Sequence, residues 1–284
     1  MLHTIENEFS KVTISEIGAE PQSIVVNGVE RLWEADPAVW GKHAPLLFPL
    51  IGRLRDGYYE LDGQPVQAPK HGFCRERLFE VALEEPTRVV FRTVDDEETR
   101  TVFPFSFSLE VEYSLEGNTL TKTHRVHNHG PRPMPFELGG HEAYALLDDN
   151  WQLEFQGIEA IPAYGMDESG ALTLPLWNLP LPAGCLRKTP EELGIDTFVM
   201  ENVPGGSVTL QQGERACVTV DLGDFPYLGV WTMAGVGKAR YLCVEPWSAL
   251  PDGHFMSREL REKPGVVQVQ PGETRSLSYG VTFA

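Results

Sequence analysis

Alternation between apolar and polar residues dominates the chain, and residues 107–116 show it most clearly. Every odd position from Phe107 to Leu115 is apolar, whereas the even positions carry serine or glutamate. A period of two residues is typical of a β-strand with one buried face and one solvated face. The same period recurs at residues 119–128, 151–155, 216–222 and 227–233. The pattern therefore predicts a chain built mainly from β-strands.

Turn signals separate the predicted strands at short intervals. Asn27-Gly28 and Asp62-Gly63 each lie between short apolar runs, and both dipeptides are strong signals of a tight hairpin. Helical signals are confined to residues 95–101 and 189–193, the second opening with a threonine cap and a proline. Strands and helices do not alternate as in a β-α-β fold. The sequence predicts an all-β sandwich or barrel, with residues 1–284 as a single domain because no linker or repeat interrupts them.

Composition narrows the classes of partner. The 284 residues include 23 basic and 41 acidic side chains, a net charge of −18, which disfavours binding to nucleic acid or to an anionic membrane. No apolar run approaches the roughly twenty residues that a membrane span needs, and the N-terminus has no basic stretch followed by an apolar core. Four widely spaced cysteines form no C-x-x-C pair. We expect a cytoplasmic protein with neither nucleic-acid nor membrane partners.

The run from Tyr241 to Trp247 contains a charge where a core residue is expected. Alternation places Tyr241, Cys243 and Glu245 on one face of a strand, and Pro246 is expected to end the ladder directly afterwards. A glutamate at a strand end is often solvated or paired with an arginine. The alternative interpretation is a general base held at the mouth of a β-structure.

Three further stretches place polar residues in glycine-flanked, mostly apolar sequence. They contain His71 on a loop, His141 after two glycines, and Asp196 just before a predicted strand. Taken singly, these residues are as readily a surface histidine, a satisfied core histidine and a turn-forming acid. Together with Glu245 they supply a carboxylate base, a histidine acid and two further polar groups. Such a set suits proton transfer on a small polyhydroxylated ligand.

The ordered set of these motifs resembles a known family. The motifs are residues 47–53 ending on Arg53, His71-Gly72-Phe73-Cys74-Arg75, Gly139-Gly140-His141, Asp196-Thr197-Phe198, and Cys243-Val244-Glu245-Pro246-Trp247. In order and spacing they are similar to the aldose 1-epimerase (galactose mutarotase-like) superfamily, and to its LacX-like branch in particular. The resemblance implies a galactose mutarotase-like β-supersandwich, which agrees with the all-β prediction.

The resemblance also implies roles for individual residues. Glu245 matches the catalytic base of the family and His141 its catalytic acid. Positions that hold sugar hydroxyls are matched by His71, Arg53 and Asp196, and the neighbouring Arg75 and Trp247 are further candidates for substrate binding. Glu142 departs from the pattern, because the superfamily commonly has proline after the histidine. A carboxylate at that position is expected to raise the pKa of His141 or to change its geometry.

The implied reaction needs this pair and no cofactor. An aldopyranose changes anomer when its C1 hydroxyl loses a proton while the ring oxygen gains one. Rotation about the bond from C1 to C2 and reversal of both transfers then give the other anomer. A carboxylate and an imidazole can carry these protons near neutral pH without a metal or an organic cofactor. The sequence thus predicts an isomerase that interconverts the α and β anomers of a free hexose or a related aldose.

Two alternatives concern the ligand. Arginine forks bind phosphate well, so a hexose 6-phosphate is the alternative substrate if four arginines converge on the site: Arg53, Arg55, Arg75 and Arg77. Asp56 and Glu76 lie beside two of them, which favours surface ion pairs instead. The second alternative is a carbohydrate-binding or sensor protein without catalysis, in which the stacking surfaces would be Trp231, Trp247 and Phe136.

A metal site was the remaining alternative. His127 and His129 have the H-x-H spacing that places two imidazoles on one strand face, and zinc is often bound in this way. The following residues, through Pro131, are typical of a turn, so we expect a solvated hairpin end rather than a metal site.

Overall fold

The computed structural model describes residues 1–146, 150–189, 192, 196–213, 215–233 and 240–284, with the side chains of 215 and 216 excluded. Its strands are β1 (Leu2–Glu6), β2 (Ser10–Ser15), β3 (Pro21–Val26), β4 (Val29–Glu30), β5 (Tyr58–Leu61), β6 (Gln64–Gln67), β7 (Glu80–Glu85), β8 (Arg88–Val94), β9 (Phe107–Glu116), β10 (Thr119–Asn128), β11 (Met134–Phe136) and β12 (Ala143–Ala145). They continue with β13 (Trp151–Phe155), β14 (Ala160–Met166), β15 (Leu172–Pro180), β16 (Cys185–Leu186), β17 (Phe198–Glu201), β18 (Ser207–Gln212), β19 (Arg215–Asp221), β20 (Tyr227–Trp231), β21 (Tyr241–Trp247), β22 (Val267–Val269) and β23 (Thr274–Phe283).

Helical structure is short within the same residues. The α-helix α1 spans Glu97–Val102, two residues after the predicted start at Asp95, with Asp96 accepting a hydrogen bond from the Thr99 amide as its cap. Single 3-10 turns lie at Arg55–Gly57, Cys74–Glu76, Pro182–Gly184, Pro204–Gly206 and Leu260–Glu262. Most of the second predicted helix, residues 189–193, lies outside the described residues. No described helix is long and apolar enough to cross a bilayer.

Two large antiparallel sheets organise the described strands. The nine-stranded sheet has the order β16-β13-β18-β19-β23-β10-β9-β8-β7, and the six-stranded sheet has the order β12-β21-β20-β17-β14-β15. Smaller sheets are formed by β1 to β4, by β5 with β6, and by β11 with β22. The hairpins β3-β4 and β5-β6 turn at Asn27-Gly28 and Asp62-Gly63, as the sequence predicted. The all-β expectation is confirmed.

The main core lies between the two large sheets. One continuous apolar cluster contains side chains of the six-stranded sheet, such as Leu242 and Val244 of β21, together with Val220 and Val281 of the nine-stranded sheet. Because side chains alternate along a strand, the other residues of β21 face away from this core. They include Tyr241 and Trp247, which belong to two smaller clusters on the outer face of the six-stranded sheet. That outer face carries the candidate site.

Strand β21 differs from the prediction at Pro246. The strand continues through the proline, with Leu228 opposite Pro246 and Tyr227 opposite Trp247. The other neighbour, β12, is paired only with the first residues of β21, from Tyr241 to Cys243. Pro246 therefore lies where the ladder on that side has already ended, and its missing amide hydrogen costs no ladder bond. The prediction that the strand stops at Pro246 is wrong, and Glu245 is held within the strand.

Candidate active site

A cleft of about 330 Å³ opens on the outer face of the six-stranded sheet. This volume lies within the roughly 300–1,000 Å³ of ligand pockets. The structure brings all seven site residues predicted from the sequence to its lining: Arg53, His71, Arg75, His141, Asp196, Glu245 and Trp247. Sequence reasoning gave no site role to Trp40, Lys70, Met166, Glu168, Thr197 and Met233, which also line the cleft.

Glu245 lies at the floor of the cleft and is 1% exposed. The Trp247 indole Nε1 donates a hydrogen bond of 3.2 Å to its Oε2 atom. Burial raises the pKa of Glu245 well above its usual range, Lys70 opposes the rise, and the nearby Glu142 adds to it. Burial therefore favours the protonated form of this carboxyl.

His141 faces Glu245 because backbone hydrogen bonds to β21 hold the residues directly before and after His141. The Gly140 amide donates to the Pro246 carbonyl at 3.0 Å, and the Val244 amide donates to the Glu142 carbonyl at 3.2 Å. The Nδ1 atom of His141 lies 3.4 Å from Oε1 of Glu245 but has no hydrogen-bond partner among the described residues. Burial, supported by the charges of Lys70 and Arg75, lowers the pKa of His141 from 6.5 to about 3. Burial thus disfavours the charged form of both members of the pair.

Two tryptophans enclose the His141 ring. Trp40 stacks on it with ring centroids 5.1 Å apart, and Trp231 meets it edge-on at 5.5 Å. Trp231 was predicted only as a stacking surface of a binding protein. Trp40 comes from a distant loop with no pattern of its own, so nothing in the sequence connects it with His141.

His71 reaches the cleft through a left-handed loop. Its φ is +65°, and that of Gly72 is +68°. A Cβ atom at Gly72 would collide with the Phe48 carbonyl, which explains the glycine. The Gly52 amide donates to Nδ1 of His71 at 3.1 Å, so the hydrogen of the neutral ring lies on Nε2. Burial, with the charge of His141 adding, lowers the pKa of His71 well below its usual value. His71 is therefore a neutral hydrogen-bond donor.

The rim of the cleft is charged. Arg53, Lys70 and Arg75 provide the cations, and the exposed Asp196 provides an acid. In the part of the chain that the structure describes, the nearest acid to Arg75 is Glu76, whose oxygen is 3.8 Å from its Nε.

The other two arginines of the proposed phosphate cluster point elsewhere. Arg55 pairs with the buried Asp252 at 3.2 Å, and Arg77 pairs with Asp96 at 2.6 Å. These partners differ from the neighbouring Asp56 and Glu76 that the sequence suggested. The prediction that four arginines converge on the site is therefore wrong. Arg53 and Arg75 remain at the cleft.

Further expectations need correction. Phe136 is fully buried in the main core, so it offers no stacking surface to a ligand. Alternation identifies buried faces but does not say which one opens on a cleft.

The sequence left two effects open for Glu142, a raised pKa of His141 or a changed geometry, and the pKa of His141 is instead lowered. The side chain of Glu142 points to the opposite side of the segment, where it pairs with Lys122 at 3.2 Å.

The H-x-H histidines bind hydroxyl groups. His127 Nδ1 lies 2.8 Å from Oγ1 of Thr274, and His129 Nε2 lies 3.0 Å from Oγ of Ser108. His129 is exposed, as expected for a hairpin end, but the nearby His124 is fully buried on the inner face of β10.

Metal-ligand atoms do occur together in the cleft. Single atoms of His141, Cys243 and Glu245 lie within 4.8 Å of one another. Burial raises the pKa of the Cys243 thiol well above its usual value, with the charge of Glu245 adding. A metal bound by this set would first have to displace the thiol proton.

The fold defines a galactose mutarotase-like protein. Over 100% of this chain, a galactose mutarotase related enzyme from Lactobacillus acidophilus superimposes with a TM-score of 0.93, at 29% identity and over 97% of its own length. A galactose mutarotase-like protein from Lactobacillus casei gives a TM-score of 0.90 at 29% identity, with 100% of both chains covered. In sequence, the chain is 29% identical over 300 residues to the chromosomal protein LacX of Lactococcus lactis subsp. lactis, covering 98% of each protein.

The chain belongs to the aldose 1-epimerase family, which it matches over residues 1–281. It therefore belongs to the class of carbohydrate epimerases, which are isomerases that act on sugars.

Proposed function

We propose that the protein is a cofactor-independent aldose 1-epimerase that interconverts the α and β anomers of a free hexose or a related aldose. The observation that carries the proposal is the buried His141 Nδ1, which has no hydrogen-bond partner among the described residues and lies 3.4 Å from Oε1 of the buried Glu245. An unsatisfied buried nitrogen is costly unless a ligand completes it. A sugar oxygen that approaches both atoms from the cleft would supply that partner.

In the proposed reaction one proton passes from His141 to Glu245 by way of the sugar and then returns. Glu245 takes the proton of the C1 hydroxyl as His141 gives a proton to the ring oxygen, and the bond from C1 to the ring oxygen breaks as the aldehyde forms. Rotation about the bond from C1 to C2 exposes the other face, and both transfers reverse. Hydrogen bonds from sugar hydroxyls to Glu245 favour its ionised form at the start. The enzyme is unchanged after each turnover.

The remaining cleft residues have roles in binding. His71 donates from Nε2 to a sugar hydroxyl, while Arg53 and Asp196 provide a donor and an acceptor at the rim. Trp231 and Trp247 supply aromatic surface for the apolar edge of the sugar ring. Arg75 is a further donor, because it is not within hydrogen-bond distance of a described acid.

The test is anomer exchange followed by NMR on purified protein with glucose, galactose and glucose 6-phosphate. Each proton transfer typically contributes about 10² to 10⁴ in rate. We therefore expect Glu245→Gln and His141→Asn each to lose at least about 10². Glu116→Gln, at the exposed end of β9, is the matched control and should exchange at the wild-type rate. Near wild-type exchange by Glu245→Gln would refute the assignment, and treatment with a chelator should change nothing.

A second candidate is the hexose 6-phosphate reaction. It is supported by Arg53 and Arg75, the two cleft arginines, since neither has an acid within 3.5 Å among the described residues. Faster exchange of glucose 6-phosphate than of glucose would favour it. If no sugar is accelerated, the binding-protein alternative is favoured, and truncation of Trp231 should then weaken binding.

A further inference from the structure

A lysine occupies a core position of the nine-stranded sheet. Lys122 is 3% exposed and lies on the inner face of β10, between the apolar Leu120 and the buried His124. Its neighbours across the strands are Tyr113 of β9 and Tyr279 of β23. The Nζ atom lies 5.5 and 5.8 Å from the centroids of these two rings. A buried ammonium is costly and needs a compensating acid.

That acid is Glu142, the residue directly after His141. Its Oε1 atom lies 3.2 Å from Nζ of Lys122 and also accepts a hydrogen bond from the Tyr279 hydroxyl. Glu142 itself is 4% exposed. The side chain thus reaches from the histidine segment to the middle of the nine-stranded sheet.

The segment packs directly against this cluster. A Cβ atom on Gly140 would collide with the Tyr279 hydroxyl and with Oε2 of Glu142, so only glycine allows the approach. The backbone bonds to Val244 and Pro246 hold the same segment against β21. Glu142 and these backbone bonds fix His141 from opposite sides.

We propose that Glu142, held by Lys122 and Tyr279, is a positioning residue of the catalytic pair, which anchors the segment of His141 so that its ring faces Glu245. The inference rests on the proposed function. It explains why a charged residue stands beside His141 without contacting the cleft. The anchor also provides a fixed negative charge behind Glu245.

That charge gives a readout that a purely structural role lacks. The titratable groups acting on or facing Glu245 are Lys70, His141, Glu142, Asp196, Tyr241 and Cys243. Of these, Glu142 and Asp196 favour the protonated form of Glu245, Glu142 more strongly, and Lys70 disfavours it. Removal of the Glu142 charge should move the pH at which the pair loses its proton to a lower value, whereas Lys70→Met should move it to a higher value.

The experiment compares Glu142→Gln with wild type in the pH dependence of kcat and kcat/KM for anomer exchange. Displacement of a catalytic group by about 1 Å typically costs about 10² in rate, so we expect kcat to fall at least about tenfold. We also expect the high-pH limb of kcat/KM to move to lower pH. Full kcat with an unmoved limb would overturn the proposal, and so would a loss of kcat with an unmoved limb, which indicates packing alone.

Glu137→Gln is the matched control. Glu137 lies in the same stretch of chain and forms a second buried pair, with Oε1 2.5 Å from Nζ of Lys263, but it is not among the groups that act on Glu245. Its loss should leave the limb in place. If it moves the limb as Glu142→Gln does, the proposal fails.

A second variant and a second measurement keep the proposal testable if Glu142→Gln does not fold or if the protein shows no turnover. Glu142→Gln leaves Lys122 without its acid, so Lys122→Met/Glu142→Gln, which removes both charges, is used if the single variant does not fold. The double variant should keep the downward shift, and a wild-type pH profile would overturn the proposal. Isotope-edited NMR of the Glu245 carboxyl gives the same titration without turnover. A wild type that exchanges no anomers would then refute the proposed function and leave this readout intact.

Discussion

Glu245 is a costly residue for the folded state. It is 1% exposed, and folding raises its pKa well above 4.5 because burial disfavours the charge more than Lys70 and Trp247 support it. The folded protein therefore binds this proton more tightly than the unfolded chain. By linkage, Glu245 lowers stability increasingly as the pH rises through 4.5 towards the folded-state value. Active sites often retain such a cost because the reaction needs the group.

Glu245→Gln is therefore expected to raise the midpoint of thermal unfolding near neutral pH, although it removes the proposed base. Glutamine has nearly the same shape, can still accept from the Trp247 indole, and has no charge to bury. The gain should shrink at about pH 4, where glutamate is largely protonated in both states. Thermal unfolding of both proteins at the two pH values measures this. An equal gain at both would show that the charge is not the cause.

Strand pairing places the tryptophan that binds this carboxyl. Glu245 on β21 lies opposite Gly229 on β20, and Trp247 lies opposite Tyr227. The Trp247 ring extends over Gly229, where an added Cβ would lie 2.5 Å from its Cζ2 atom. The glycine therefore leaves the space that lets the indole reach Glu245.

Gly229→Ala should displace Trp247 and so weaken its hydrogen bond to Glu245. Overpacking of this kind costs about 1–3 kcal/mol, and we expect both a loss of that size in denaturant unfolding and slower anomer exchange. Gly280→Ala on β23 is the matched control, because its Cβ would meet nothing closer than Asp221 Cβ at 3.9 Å. If both variants behave alike, the loss reflects a glycine in a strand and not the space above Gly229.

Elements with a clear period were predictable from the sequence, whereas contacts between them were not. Alternation identified β9 with its correct bounds, and the two hairpin turns followed from their dipeptides. The stacking of Trp40 on His141 joins distant loops, which no local pattern reports. Lys122 did leave a signal, because it interrupts the apolar phase of residues 120–126, but nothing linked it with Glu142.

The candidate site was predictable for a different reason. Its residues lie in short motifs that a resemblance can match, which is how Arg53, His71 and Asp196 were found. The pKa shifts of these residues could not be predicted from the motifs. The lowered pKa of His141 results from burial and from the charges of Lys70 and Arg75, which the fold brings together.

Charge is distributed unevenly over the whole molecule. The chain has a net charge of −18, yet the cleft lining holds three cations, Arg53, Lys70 and Arg75, against three acids, Glu168, Asp196 and Glu245. The surrounding field repels an anionic substrate at a distance, whereas a neutral sugar does not respond to it. The way in which kcat/KM changes with ionic strength therefore distinguishes a neutral substrate from an anionic one.

For a free aldose, we expect kcat/KM to change less than about twofold between low salt and about 0.5 M, where the Debye length falls to a few ångströms. We also expect exchange of glucose 6-phosphate to be slower than that of glucose. Arg75→Met separates the two substrates. If Arg75 binds a hydroxyl, the variant slows both sugars to a similar extent, because both carry the same ring hydroxyls. If it binds phosphate, the loss falls on glucose 6-phosphate alone and shrinks at high salt, since a charge-assisted contact at the rim is screened. That selective loss, with faster exchange of the phosphorylated sugar in the wild type, would replace the free aldose by its 6-phosphate as the substrate.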